Sequence, residues 1–244
     1  GFVAGAVNLT ERFISKIFDG IVPATDDIFN NFSHHKRAVV VNNFPVLPDF
    51  AGIRKNIRST GVFNLIYVGV LAEIRGITQM IQALESIDSQ KSVKLTLYGK
   101  FYPQSYEEQI KSLKGFEKVE YPGWIRPQEI PEKMAQADVG IVCLHHITNY
   151  LSALPVKLFE YMACELPVIA SNFPLWKEIV EGNNCGICVD PLNPEEIADA
   201  IQWIIEHYDE VKQMGINGRK AVEKKYNWET ESKKLLRLYE QILI

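Results

Sequence analysis

From residue 61 onward, short apolar runs alternate with segments whose apolar residues recur every three or four positions. The short runs predict strands, because a strand buried on both faces is apolar throughout, and the periodic segments predict helices. The predicted strands cover 62–70, 93–99, 118–123, 138–144, 167–171 and 186–190. The helices that follow them are predicted at 76–87, 105–116, 127–137, 155–164, 174–182 and 193–208.

Strands that alternate with helices of this length favour right-handed crossovers and an open parallel sheet. We therefore expect the α/β class, with a Rossmann-like, doubly wound parallel sheet of about six strands. Ligands of such sheets bind outside the carboxyl ends of the strands. The loops to inspect are those after Gly69, Gly99, Gly123, Leu144 and Ala170.

The two ends of the chain do not fit this sheet. The N-terminal part predicts a helix at 9–18, a short strand at 20–25 and a helical piece near 26–33, and the tail at 208–243 predicts two amphipathic helices. Residue 1 is Gly rather than Met, and we expect the chain to be a fragment of a longer protein or a processed product. The predicted division is 1–45 for the end of a preceding domain with its linker, 46–228 for the Rossmann-like domain and 229–244 for a closing helix.

Composition excludes several classes of protein. A net charge of −4 and an isoelectric point near 5.8 argue against a general nucleic-acid binder. No apolar run approaches the roughly 18 residues that span a bilayer. The four cysteines lie mostly in or beside apolar runs, which is typical of free thiols in a reducing compartment. We expect a cytoplasmic protein, and leave open a peripheral contact with the inner membrane surface.

The first candidate for chemistry is GVLAEIRG, at 69–76. Gly69 lets a ligand approach the backbone, and Gly76 lets a helix begin tightly. Arg75 is a permanent, forked cation at a helix start, which suits a diphosphate. The alternative is a surface arginine paired to Glu73. Because neither a P-loop nor a G-x-G-x-x-G motif occurs, a dinucleotide oxidoreductase is disfavoured.

The second candidate is PVKLFEYMACELPVIAS, at 155–171. Pro155 suits a helix start, and Lys157 then lies in the first turn, where a cation is unfavourable without a nearby anion. Lys157 could bind a phosphate, and Glu160, on the same face, could bind ribose hydroxyls. The alternative is a surface ion pair worth about 0.3 kcal/mol. Since Arg75 and Lys157 both lie at the carboxyl edge, we expect them to converge on one pyrophosphate.

These segments carry a family resemblance. The blocks are YVGVLAEIRGI, LYGK, YPGWIRPQEIPEKMAQADVGIVCL and PVKLFEYMACELPVIASNFPLWKEIVEGNNCGICVDPLNPEEIADAI. In this order, over roughly 60–228, the chain resembles the C-terminal, donor-binding half of retaining glycosyltransferases of family four (group 1), which have the GT-B fold. DGIVPATDDIFNNF and VVVNNFPVLPDF resemble the end of the N-terminal domain and its linker.

The resemblance implies roles for individual residues. Arg75 matches the basic residue that meets the donor diphosphate, and Glu160 matches the second glutamate of E-x7-E, which holds the ribose. Lys157 matches the lysine of a P-x-K-x-x-E-x-M variant, and we assign these three residues to catalysis. The other donor-binding residues implied are Gly69, Val70, Gly99, Gly123, Trp124, Ile125, Pro155 and Val156.

Three positions depart from the family pattern. Ser152 stands where the first glutamate of E-x7-E is expected. Val70 replaces the arginine of a frequent Gly-Arg pair, and Glu165 replaces a usual glycine. The loss of the first glutamate bears most directly on recognition of the transferred sugar.

The function implied is transfer of a sugar, with retention, from a UDP-, GDP- or ADP-linked donor to an acceptor glycan or a lipid-linked sugar. The resemblance implies no metal ion or other cofactor, because fixed cations stabilise the leaving diphosphate. The resemblance implies that the acceptor binds an N-terminal domain of which this chain carries only the end, so we expect donor binding without turnover. A nucleotide-sugar epimerase of the same architecture and a non-catalytic nucleotide-binding or interaction module remain as alternatives.

Two further features have alternative interpretations. Cys185 and Cys188 form a C-x-x-C motif, but the motif runs into a strand rather than a helix, which favours a structural role. His145 and His146 follow the fourth strand, where they would either contact the donor sugar or belong to a solvated loop.

Overall fold

The fold centres on one six-stranded parallel sheet of strand order β3-β2-β1-β4-β5-β6. It is taken from a computed structural model that describes residues 10–11, 13–53, 61–88 and 92–243. Each predicted strand is present and slightly shorter than the apolar run that predicts it. The strands are β1 (Phe63–Val68), β2 (Val93–Tyr98), β3 (Val119–Gly123), β4 (Val139–Val142), β5 (Val168–Ser171) and β6 (Gly186–Val189). The parallel, doubly wound class is therefore confirmed.

Helices cover both faces of this sheet. They are α1 (Asp26–Phe32), α2 (Ile77–Ser86), α3 (Tyr106–Lys111), α4 (Ile130–Ala135), α5 (Thr148–Leu151), α6 (Val156–Ala163), α7 (Pro174–Val180), α8 (Pro194–Glu206), α9 (Tyr208–Lys224) and α10 (Trp228–Leu243). Short 3₁₀ turns occur at Ser15–Ile17, Leu47–Phe50, Glu73–Arg75, Lys114–Lys118 and Pro127–Glu129. In the described part of the chain, no helix is both long and apolar enough to span a bilayer.

Two apolar layers hold the helices onto the sheet. On one face, α2 and α8 bury their apolar sides against β1, β2 and β4. On the other face, α6, α7 and α9 form the second layer. In α6 the side chains of Leu158, Phe159, Tyr161 and Met162 are fully buried. Full burial of such a side chain contributes roughly 1.5–3 kcal/mol, so these contacts fix the position of α6.

The N-terminal predictions need correction. The strand predicted at 20–25 is wrong, because among the described residues this stretch forms one isolated bridge, between Ile21 and Ala38. Pro23 in this stretch lacks the N–H that a ladder needs, and Val22 is exposed. The helix predicted at 26–33 is confirmed as α1. The helix predicted at 9–18 lies partly outside the described residues.

The helix predicted at 105–116 is also shorter than its pattern suggests. It ends at Lys111, and a 3₁₀ turn follows. Gly115 in this turn packs so closely on the carbonyl oxygen of Ile81 that a Cβ would lie 2.0 Å from it. The backbone N–H of Gly115 donates to the carboxylate of Glu85. Tertiary contact therefore overrides the local helical pattern.

Glu165, a departure from the family pattern, occupies a backbone conformation that suits the glycine it replaces. Its φ is 57°, in the left-handed region, where a residue with a Cβ loses roughly 1–2 kcal/mol. The position keeps this conformation because its carbonyl oxygen contacts Gly215 of α9, where a Cβ would lie 2.1 Å away.

The C-terminal helix α10 returns to the N-terminal segment. The N–H of Trp228 donates to the carbonyl of Pro45, and the N–H of Asn42 donates to the buried carboxylate of Glu231. Because these bonds hold the stretch 42–47 against α10, the linker is fixed beside the sheet. The division into domains at 45 and 228 stays a prediction.

We expect Gly76→Ala to lower the free energy of unfolding by about 3 kcal/mol or more. Gly76 has φ of 74°, which disfavours a Cβ by roughly 1–2 kcal/mol, and that Cβ would also lie 2.0 Å from the carbonyl oxygen of Cys143. Gly52 is a matched control, since its φ is 73° and no atom lies within 4 Å of an added Cβ. Gly52→Ala should lower the free energy of unfolding only by the conformational cost of roughly 1–2 kcal/mol. If denaturant titrations gave the same loss of unfolding free energy for both variants, the proposed clash at Gly76 would be contradicted.

Candidate functional site

The strand order reverses between β1 and β4, and the loops that follow these two strands meet at the carboxyl edge. The N–H of His145, after β4, donates to the carbonyl of Ile74, after β1, at 3.0 Å. Gly76 lies against the carbonyl of Cys143. Open α/β sheets bind their ligands at such a reversal, because the neighbouring loops diverge there and leave a crevice.

Arg75 lies at this reversal. It ends the 3₁₀ turn that precedes α2, and its guanidinium lies 4.8 Å from the centre of the Tyr150 ring in α5. A cation–π contact of this kind contributes about 0.5–1 kcal/mol. In the described structure Arg75 forms no ion pair with Glu73, the partner considered in the alternative interpretation. Its donors therefore remain available to an anionic ligand.

Lys157 and Glu160 form the i,i+3 ion pair considered as the alternative interpretation. The Lys157 Nζ lies 2.5 Å from Glu160 Oε2, and the two side chains are 29% and 16% exposed. Pro155 precedes the first residue of α6, which places both charges in its first turns. An ion pair uses one carboxylate oxygen and one ammonium proton, so each group keeps capacity for a ligand.

A cavity of about 640 Å³ opens beside this pair. Its wall combines the linker, the start of α4 and the first turns of α6. The lining residues are Asn43, Phe44, Pro45, Val46, Asp49, Phe50, Pro127, Gln128, Ile130, Pro131, Val156, Lys157 and Glu160. Cavities of 300–1,000 Å³, largely apolar with a few polar groups, are typical of small-molecule sites.

The expected convergence of the two cations is only partly visible. Lys157 lines the cavity, whereas Arg75 is not among the described residues that line it. Arg75 lies at the reversal of strand order, against Tyr150 of α5. Convergence on one pyrophosphate therefore stays a prediction.

The glycines predicted to bind the donor lie side by side at the carboxyl edge. The N–H of Gly69 donates to Tyr98, and the N–H of Gly99 donates to Gly123. A Cβ on Gly99 would lie 1.8 Å from the carbonyl oxygen of Gly69. Val70 is exposed, and its carbonyl accepts the Tyr67 hydroxyl. Backbone hydrogen bonds and close backbone contact therefore join the ends of these three strands.

Trp124 and Ile125 have different environments. Trp124 is 59% exposed, so it does not serve as a buried packing residue of the sheet. Ile125 packs against the apolar layer that contains α6. Their contact with a base stays a prediction.

Sequence reasoning missed several contributors to the site. One is Tyr150, whose ring contacts Arg75, and the others are the linker residues that line the cavity. All of them lie in segments without a periodic pattern of apolar residues. The structure also joins Ser152 to Asp27 of α1, whose Oδ2 accepts the serine hydroxyl at 3.1 Å. The two residues are 125 positions apart, so no local sequence pattern predicts the contact.

The two histidines after β4 have partners within the protein. His145 Nε2 lies 2.9 Å from Gln79 Oε1, and burial lowers the pKa of His145. His146 lies 3.2 Å from Asn172 Oδ1 and packs edge-on against Phe173. These contacts fix the loop at the edge of the site.

The matching family model is described as glycosyl transferases group 1 and covers residues 51–221. The chain belongs to the group 1 glycosyltransferases. An uncharacterized glycosyltransferase of Methanocaldococcus jannaschii, MJ1607, is 26% identical over 97% of this chain and 56% of its own length. Spore coat protein SA of Bacillus subtilis is 26% identical over 72% of the chain and 48% of its own length. The chain thus spans about half the length of these curated relatives.

Solved structures of glycosyltransferases share the fold. One from Rickettsia africae has a TM-score of 0.81 at 17% identity, covering 98% of this chain and 67% of that one. Anabaena HepE, in complex with UDP and glucose, has a TM-score of 0.75 at 17% identity over 96% and 66%. These neighbours confirm the GT-B-type α/β architecture.

The C-x-x-C motif has the environment of structural thiols. Cys185 is buried, with its Sγ 3.3 Å from the carbonyl of Val180, and Cys188 is half-buried in β6. Burial raises the pKa of Cys185 and of Cys188 to about 12. The reactive thiolate is therefore scarce at neutral pH.

We expect the thiols of the folded protein to react with Ellman's reagent at pH 8 at least about 100-fold more slowly than a free cysteine, because few are ionised. Guanidinium chloride should expose all four cysteines to rapid reaction. Rapid modification of Cys185 or Cys188 without denaturant would contradict the structural interpretation.

Proposed function

We propose that this chain is the donor-binding half of a retaining glycosyltransferase that uses a nucleotide sugar. Family membership supports the transferase class. The observation that carries the donor assignment is the cavity of about 640 Å³ at the carboxyl edge, with Lys157 and Glu160 on its wall. A wall that combines apolar residues with a few polar groups suits a nucleoside, which is part apolar base and part hydroxyl-bearing sugar.

The cavity offers complementary surfaces to the parts of a nucleoside. The apolar residues of the linker and the two prolines at and before the start of α4 would enclose the base, and the polar residues Asn43, Asp49 and Gln128 share this wall. Glu160, at the other wall, would accept hydrogen bonds from ribose hydroxyls through its free carboxylate oxygen. Lys157, paired to Glu160, would then present its remaining ammonium protons to the diphosphate.

The chemistry follows from where negative charge develops. Cleavage of the anomeric C–O bond leaves the bonding electrons on a phosphate oxygen of the departing nucleoside diphosphate. Lys157 and Arg75, as fixed cations, would stabilise this oxygen more in the transition state than in the ground state. The acceptor oxygen would attack from the face that the diphosphate leaves, which preserves the anomeric configuration, and its proton would pass to the leaving phosphate.

Relatives suggest which donors to test. A Mycobacterium tuberculosis relative, 30% identical over 48% of the chain, is named a GDP-mannose-dependent mannosyltransferase. HepE structures contain UDP or UDP-glucose. Because the chain spans about half of its curated relatives, we propose that the acceptor, a glycan or a lipid-linked sugar, binds the other half. The isolated chain should therefore bind a donor without turnover.

Calorimetric titration with UDP, GDP and ADP tests the diphosphate assignment. We expect one of them to bind, and Arg75→Ala and Lys157→Ala each to weaken that binding by about tenfold or more, because each removes a charged hydrogen bond. Lys177→Ala is a control, since Lys177 of α7 forms an exposed ion pair with Glu181, at 4.0 Å, away from the cavity wall. Absence of binding by all three nucleotides would contradict the proposed function.

The role of Glu160 is tested with the 2′-deoxy form of whichever nucleoside diphosphate binds. We expect the unmodified chain to prefer the ribose form by about tenfold, because a carboxylate strengthens a hydrogen bond from a hydroxyl. Glu160→Ala should remove this preference, and Glu181→Ala should preserve it. A preference that survives Glu160→Ala would place the ribose elsewhere.

A further inference from the structure

The N-terminal segment contributes a carboxylate to the loop that precedes α6. Ser152 Oγ donates to Asp27 Oδ2 at 3.1 Å. Ser152 lies two residues after Tyr150, which supports Arg75, and eight residues before Glu160. Asp27 therefore contacts the stretch of chain that contains Lys157, Glu160 and Tyr150, the residue whose ring contacts Arg75.

The carboxylate of Asp27 is available to a ligand. Asp27 is exposed, and within the described residues it forms no ion pair. Ser152 occupies one of the roughly four lone-pair positions of an ionised carboxylate. The remaining positions accept hydrogen bonds only, which excludes a phosphate as partner and suits hydroxyl groups.

Ser152 is too short and too weak an acceptor to replace a glutamate by itself. The resemblance expects a carboxylate at position 152, and the chain provides a hydroxyl there. The structure brings a carboxylate to that hydroxyl from another segment. The carboxylate beside this hydroxyl therefore comes from a position 125 residues earlier in the chain.

We propose that Asp27, oriented by Ser152, binds hydroxyl groups of the transferred sugar and determines which sugar is accepted. This inference rests on the proposed function. Asp26 gives a matched control, because it carries the same charge in the same first turn of α1 and is exposed. Adjacent helical residues point about 100° apart, so Asp26 does not share the direction of Asp27.

The experiment compares a nucleoside diphosphate with its sugar conjugate on the same chain. The probes are UDP with UDP-glucose, GDP with GDP-mannose, and ADP with ADP-glucose. For the pair that binds, we expect Asp27→Asn to weaken binding of the sugar conjugate by about tenfold and to leave the affinity for the free nucleoside diphosphate unchanged. The amide still accepts the serine hydroxyl, so the contact with Ser152 is kept. Asp26→Asn should affect neither ligand.

A swap variant tests whether the carboxylate itself matters. Asp27→Ser combined with Ser152→Glu moves the acid to the position that the family uses, and we expect it to restore binding of the sugar conjugate. Three outcomes would overturn the inference while leaving the proposed function intact. Asp27→Asn could weaken the binding of both ligands equally, Asp26→Asn could weaken binding of the sugar conjugate as much as Asp27→Asn does, or the swap could fail to restore that binding. If the unmodified chain binds no diphosphate, the proposed function and this inference both fall.

Discussion

The site depends on one close approach, that of Gly76 to the carbonyl oxygen of Cys143. A Cβ at Gly76 would lie 2.0 Å from that oxygen, so only glycine lets the start of α2 approach the end of β4. The approach brings His145 into hydrogen-bond contact with Ile74 and Arg75 over the ring of Tyr150. Two loops from opposite sides of the strand reversal thereby form one surface.

Burial away from the site holds its polar residues in place. The apolar side of α6 is fully buried, which orients Lys157 and Glu160 toward the cavity wall. On the other wall, bonds from α10 to Asn42 and Pro45 fix the linker. The last helix of the chain therefore contributes to the shape of a cavity that it does not line, by holding the segment that does.

The fold was predictable to the extent that burial leaves a local pattern. Central strands such as β4 are apolar throughout because both faces are covered, and the period of α8 shows its buried side. The pattern failed at 20–25, where apolar residues form a single bridge, and at Gly115, where contact with Ile81 ends a helical period. In both places a partner distant in sequence decides the conformation.

The sequence by itself determined which strands and helices follow one another along the chain, because apolar runs and helical periods are properties of neighbouring residues. It also determined that Arg75, Lys157 and Glu160 lie at the carboxyl edge of the sheet, because each follows a predicted strand. Only the tertiary structure decided that Lys157 pairs with Glu160 beside a cavity, that the linker forms its opposite wall, and that Asp27 meets Ser152. Those contacts arise from the packing of layers onto the sheet, which joins residues up to 125 positions apart and leaves no periodic trace in the chain.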